Sequence, residues 1–279
     1  MNMRRILDKA YQMTAMYAYR IRIDEEKAPS LTDSKIGGIP YWDPAKEYPT
    51  DSKGRKLTLL IQINFADLPG KDVFPAEGML QFFIQAESEF YGSDLSYLYN
   101  GDVSSLTRQD GFRVVYHPVI NPSVTAETIA DLNIPANDTG EPIDGEMAVT
   151  FEKAVVSMGY HDYRFMDVVR KAAALLGESE PTEEDVADYF DIHEDEYRLN
   201  SGHWLLGYPS FAQEDPRGGV RRSYDCKKLQ KYDTMLLQLD TDDSDRIMWG
   251  DCGVANFFIE KDALKRGDLS EVMYTWDCG

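Results

Sequence analysis

Two stretches of this chain repeat the same order of short blocks, and that echo constrains the fold more than any other feature. In the first half Gly38-Ile39-Pro40-Tyr41-Trp42 precedes Leu59-Leu60-Ile61-Gln62-Ile63-Asn64 and then Gly78-Met79-Leu80-Gln81-Phe82-Phe83-Ile84. In the second, Gly207-Tyr208-Pro209-Ser210-Phe211 precedes Leu236-Leu237-Gln238-Leu239-Asp240 and then Gly253-Val254-Ala255-Asn256-Phe257-Phe258-Ile259. Gln62 and Gln238 lie 176 positions apart, Phe82 and Phe257 175, and Pro40 and Pro209 169, so a loop between the first two blocks differs in length. Matching order at near-constant spacing predicts a tandem duplication. The units run over about 36–85 and 206–260 within one compact domain, 1–279.

Each block is short, rich in β-formers and bounded by Gly, Pro or Asp, which predicts strands. Alternation then sorts the side chains. Leu59, Ile61 and Ile63 are expected on one face, with Leu60, Gln62 and Asn64 on the other. In the second unit Leu237 and Leu239 oppose Leu236, Gln238 and Asp240. Phe82 and Phe257 are expected in the core. Residues 2–18 place Ile6, Ala10, Met13 and Tyr17 at helical spacing, which predicts an amphipathic helix packed on the sheet. A helical insertion is expected over about 161–197, with Gly177 as a stop and Thr182 with Asp185 opening a second helix. The fold class is thus α+β, mainly antiparallel β and roll-like, with packed helices.

Composition narrows the function. The chain has 49 Asp and Glu against 29 Lys and Arg, a net charge of −20. Such a field repels phosphate backbones and anionic lipid surfaces, so neither nucleic acid nor membrane is an expected partner. It suits a basic protein partner. Cys226, Cys252 and Cys278 are odd in number and without zinc spacing, which predicts reduced thiols. No secretion signal or membrane-length apolar run is present in the sequence, and a cytoplasmic location is expected.

Gly37-Gly38-Ile39-Pro40, the strand ending at Asn64, Gly78 to Ile84, Met248-Trp249-Gly250-Asp251-Cys252-Gly253, and Tyr274-Thr275-Trp276-Asp277-Cys278 form a set of motifs. Together they resemble the YwqG-like family, bacterial domains of unknown function. The resemblance covers about residue 30 to the end and implies a mainly-β, roll-like α+β fold. It supplies no mechanism and no catalytic residue.

Motifs for chemistry are sparse. There is no Gly-rich phosphate cradle and no nucleophile elbow, and His193-Glu194 lacks the second histidine of a zincin. Asp240, Asp242, Asp243, Asp245 and Asp251 have some of the spacing of a calcium loop. Position six, however, is Asp245 rather than Gly, and the closing residue is Asp rather than Glu. An acidic hairpin loop is the expectation there, with no metal and no cofactor. The sharpest constellation is the set of strand amides: Gln62, Asn64 and Gln81 with Gln238, Asp240 and Asn256. They either cross-link strands or face a cleft between the two units and bind a ligand, walled by Trp249 with Trp42 and Trp276. Residues 178–196 add ten carboxylates without a Lys or Arg. The run is either a docking face for a basic partner or the solvated side of a helix. From these features the chain reads as a non-catalytic acidic interaction module, with an enzyme or small-ligand binder using the inter-unit cleft as the alternative.

Overall fold

Alternation of Tyr17, Tyr19, Ile21 and Ile23 with Ala18, Arg20 and Arg22 writes a strand directly after the first helix. The computed structural model describes residues 1–279 other than 71–72, 137–141, 198, 219–223 and 243–245, and the side chains of all but Asp195 and Tyr197 among the rest. In it the first helix, α1 (Met3–Thr14), ends before that run, and β1 (Met16–Asp24) takes it over. The expected helix over 2–18 is therefore too long at its C-terminal end. Tyr17 stands on the strand and is exposed.

The further strands are β2 (Lys35–Gly37), β3 (Thr58–Asn64), β4 (Met79–Ile84), β5 (Phe112–His117), β6 (Glu146–Val156), β7 (Trp204–Leu205), β8 (Thr234–Asp240), β9 (Val254–Ile259) and β10 (Val272–Asp277). All ten join one antiparallel sheet in the order β10-β9-β8-β7-β1-β6-β2-β3-β4-β5. The central pair β1–β6 carries one four-stranded wing on each side. β1 pairs with β7, and β6 pairs with β2, so each wing is completed by the central strand more distant in sequence. The wings curl toward each other. The Phe82 and Phe257 rings meet at 5.0 Å, Phe112 meets Tyr274 at 5.1 Å, and the Gln109 amide donates to the Leu269 carbonyl at 2.8 Å. The result is a nearly closed, barrel-like sheet.

Phe82 and Phe257 are both fully buried at this meeting of the wings. Truncating either to alanine is expected to cost about 3–5 kcal/mol, the range for a buried phenylalanine, as read by denaturant unfolding. Both wings carry a register shift at the same place, between Leu59 and Ile61 and between Met235 and Leu237. That bulge corrects the expected facing of Leu59. The extra residue moves it to the side of Trp42, Tyr48 and Phe83, while Ile61 and Ile63 stay in the main core.

Helices α2 (Ser96–Asn100) and α3 (Ala126–Ile129) are short, and α7 (Lys261–Arg266) follows β9. A separate layer is built by α1, α4 (Phe165–Leu176) and α5 (Glu183–Ile192), with the single turn α6 (Glu194–Tyr197) after it. Ile6, Leu7 and Ala10 of α1 meet Phe165, Val169, Ala172 and Ala173 of α4 and Val186 and Phe190 of α5 in a second core. Each large apolar side chain buried there contributes about 1.5–3 kcal/mol. Gly177 ends α4 in the left-handed region, and Thr182 with Asp185 forms a capping box on α5, both as the sequence predicts.

Candidate functional site

Gln62 and Gln81 face each other across β3 and β4 and are fully buried. A buried amide left without partners costs about 1–3 kcal/mol, so its partners reveal its role. Gln62 Oε1 accepts from the Tyr41 backbone N–H at 3.0 Å, and its Nε2 donates to the carbonyls of Leu31 and Asp33, both at 2.8 Å. Gln81 Nε2 donates to the Tyr41 carbonyl at 2.7 Å and to Gln62 Oε1 at 3.2 Å. Asn64 extends the set, donating to the Thr32 carbonyl at 3.0 Å. The strap 31–41 is thus stitched onto the wing by side-chain amides.

The other wing repeats the arrangement. Gln238 Oε1 accepts from the Ser210 N–H at 2.7 Å, and its Nε2 donates to the carbonyls of Asn200 and Gly202 at 2.8 Å. Asn256 Nδ2 donates to the Ser210 carbonyl at 2.9 Å, and Asp240 accepts from the Gly202 N–H at 2.7 Å. Burial raises the Asp240 carboxyl above its usual range, against the lowering effect of that N–H. Leu31, Asp33 and Tyr41 each lie 169 positions before Asn200, Gly202 and Ser210. The strap turn also matches. Gly38 has φ +71°, and a Cβ there would meet the Glu146 carboxyl group at 2.3 Å; Gly207 has φ +104°, and a Cβ there would lie 3.2 Å from the Ala18 Cβ.

Gln62, Asn64 and Gln81 thus come together, as do Gln238, Asp240 and Asn256, but in two networks without a common partner. Because Gln81 and Asn256 neighbour the inward-facing Phe82 and Phe257 along their strands, the amides point to the outer faces of the wings. They do not converge on one groove. Trp249 belongs to neither network: its ring is buried against Tyr91 and Trp276. Trp42 packs on Tyr48, Phe83 and His117.

Two histidines belong to these networks. His117 Nε2 lies 2.9 Å from Gln81 Oε1, and its Nδ1 is 3.3 Å from the Lys46 ammonium. The Gln81 oxygen can only accept, so Nε2 carries the proton; the Lys46 ammonium can only donate, so Nδ1 accepts and the ring is neutral. Burial first, then Lys46, lowers its pKa from 6.5 to about 4, with Asp43 opposing. His161 Nδ1 accepts from the Phe211 N–H at 3.1 Å and lies 3.1 Å from Ser210 Oγ; burial lowers its pKa to about 4. Both folded values lie below the unfolded one, so between pH 6.5 and 4 the unfolded chain binds more protons. Stability from each ring is therefore present in full above pH 6.5 and is lost as pH falls toward 4. Thermal melts from pH 8 to 4.5 are expected to show a flat top and then a fall, with a shallower fall for His117→Gln.

Sequence reasoning missed a buried ionic cluster. Arg217 is fully buried, bonds Asp215 through Nε at 2.9 Å and Nη2 at 2.7 Å, and lies 4.0 Å over the Phe258 ring. Arg164 clasps Asp162 in the same way at 2.8 and 2.6 Å. Burial pushes the Asp162 carboxyl up, but Arg164 and Arg217 together hold it below its usual range. The signal was available as a twice-written Asp-x-Arg, at 162–164 and 215–217.

Asp243 and Asp245 of the candidate calcium loop lie outside the described residues. Among the described residues no group of three His, Cys, Asp or Glu side chains is placed to hold a metal ion. The three cysteines are unpaired. No helix among the described residues is long and apolar enough to cross a membrane.

The architecture defines a class by its fold: an antiparallel, barrel-like β-protein with a helical side layer. Within that class the chain belongs to the family described as a domain of unknown function, DUF1963, whose model matches residues 34–278. The likeness to the YwqG-like family remains a resemblance. No curated protein matches the chain.

Proposed function

We propose that this protein is a non-catalytic, cytoplasmic binding module whose helical layer docks a basic protein. The observation that carries the reading is the state of the acidic run. At its flanks Glu178 and Glu180 pair with Arg5 and Arg170, and Glu196 pairs with Arg4. Between them Glu183, Glu184, Asp188, Asp191 and Glu194 are exposed and have no cationic partner among the described residues. Glu184, Asp188 and Ile192 fall on one stripe of α5, and Ile192 is 78% exposed. An apolar contact set among unpaired carboxylates suits a lysine- or arginine-rich surface. The amides of Gln62 and Gln238, by contrast, are taken up by backbone groups of the straps.

The test is capture of partners from the native cell by wild type and by the Glu184→Gln/Asp188→Asn/Asp191→Asn variant. A control, Glu25→Gln/Glu26→Gln/Glu87→Gln, changes net charge equally elsewhere on the surface. The expected result is a basic protein held by wild type and control, released by added salt and lost from the α5 variant. Equal retention by the α5 variant contradicts the reading.

The duplication is part of the same proposal. The symmetric strand order, the paired bulges and the strap contacts at a constant spacing of 169 all support two copies of one β-unit with exchanged central strands. A second reading, small-ligand binding between the units, draws support from a cleft of about 330 Å³ between Phe65, Phe74 and Tyr116 of one wing and Leu264 and Leu269 after the other. A ligand-induced rise in melting temperature would favour it.

A further inference from the structure

A different cleft, of about 460 Å³, opens at the end of the first wing where β4 leaves the sheet and β5 enters it. Its wall is a close backbone contact. A Cβ on Gly92 would lie 1.9 Å from the Gly111 carbonyl oxygen, and Gln85 N–H donates to that same oxygen at 2.8 Å. That contact fixes one wall in main chain, and side chains supply the rest of the lining.

Its polar lining is unfinished. Gln85, 4% exposed as a residue, lines the cleft with its amide open to solvent rather than engaged by the protein. The hydroxyls of Ser93 and Ser105, which also line the cleft, are buried without a partner. Unsatisfied groups of this sort cost stability unless something completes them.

The remaining lining says what would. Three cations, Lys53, Arg55 and Arg108, face three anions, Asp51, Asp94 and Asp110. Arg55 is held by Asp51 at 2.7 Å and Arg108 by Asp94 at 2.9 Å, while Asp110 accepts from Ser52. Charge is balanced within the cleft, which offers no strong field to a charged ligand. Phe90 and Tyr99 add aromatic faces, Tyr99 largely exposed at the rim. Amide and hydroxyl groups that both donate and accept, beside aromatic faces and without net charge, fit alternating hydroxyls and C–H faces.

We propose that this cleft binds a neutral polyhydroxylated molecule, a mono- to trisaccharide, anchored by Gln85, Ser93 and Ser105 and stacked on Tyr99. The site is independent of the acidic face of α5, and either assignment can fail without the other.

The test is saturation-transfer NMR on the full chain with methyl glucoside, N-acetylglucosamine, maltose and maltotriose, and with inorganic phosphate and octanoate as charged probes. The expected result is transfer to ring C–H protons of at least one neutral sugar, weakened in Tyr99→Ala. In Gln85→Leu affinity is expected to fall roughly tenfold or more, the loss of one buried anchor. The melting temperature of this variant without ligand is expected to stay close to that of wild type, since the amide meets solvent rather than a protein partner. Ser105→Ala is a second, milder variant, expected to weaken sugar binding without lowering the melting temperature. Transfer to no neutral sugar, transfer only to the charged probes, binding unchanged in both buried variants, or a lower melting temperature for both would overturn the proposal.

Discussion

Arg217→Met is expected to lower the melting temperature by roughly 10 °C, because breaking a buried ion pair from one side costs about 3–5 kcal/mol. The guanidinium is fully buried, and without it Asp215 loses both of its side-chain bonds to Arg217. The Tyr232 carbonyl loses its donor as well. Asp162 keeps Arg164, so the damage centres on Asp215. The double variant Asp215→Asn/Arg217→Met removes the stranded charge and is expected to recover part of the loss. Arg217→Lys keeps the charge but not the fork that grips both carboxylate oxygens, and should fall between wild type and Arg217→Met. The cluster matters for function on the proposed reading. Arg164 opens α4 and donates to the Asp233 carbonyl just before β8, so it fastens the helical layer to the sheet. Thermal unfolding with far-UV detection reads all three variants.

The second large effect concerns the strap. Gln62→Leu keeps the volume but strips four hydrogen bonds: to the Tyr41 N–H, to the Leu31 and Asp33 carbonyls, and from Gln81. At about 1–3 kcal/mol for each buried group left unmatched, and with incomplete additivity, a loss of about 4 kcal/mol is expected. Gln238→Leu strips three such bonds and is expected to cost less. No compensating apolar change on a neighbouring strand rescues Gln238→Leu, because its partners are main-chain groups. Denaturant midpoints of the two variants give the order directly. Equal midpoints for wild type and Gln62→Leu would mean that the strap is held by something other than the amide.

What the sequence made legible was the content of the wings. The strands around Gln62, Gln81, Gln238 and Asn256 were readable because apolar periodicity and flanking turn residues are local signals. The central strands were not read. Tyr17 to Ile23 continues a helical spacing as plausibly as it begins a strand, and its pairing with β6 and β7 depends on residues far along the chain. The exchange of β1 and β6 between wings has no local signature at all. Strict alternation puts Leu59 on the wrong face because a bulge inserts one residue without altering composition.

The candidate site was legible in part. Residue type and spacing picked out the buried amides and paired them within each wing. Strand alternation also carries the clue to their direction, since Gln81 and Asn256 each precede an inward-facing phenylalanine. The identity of their partners was hidden, because a strap 20 to 40 residues away supplies them as backbone. Only aromatic character links Trp249 to the amides, whereas its neighbours are rings from other segments. The acidic run was plain to see, but which carboxylates are already paired depends on Arg4, Arg5 and Arg170 from two other helices.

Zero-length carbodiimide crosslinking in native lysate, mapped by mass spectrometry, tests the docking claim most directly, since it joins only carboxylates and amines in contact. The account predicts crosslinks from Glu184, Asp188 or Asp191 to lysines of one basic protein, suppressed by high salt. Crosslinks confined to other faces of the chain, or none above background, would contradict it.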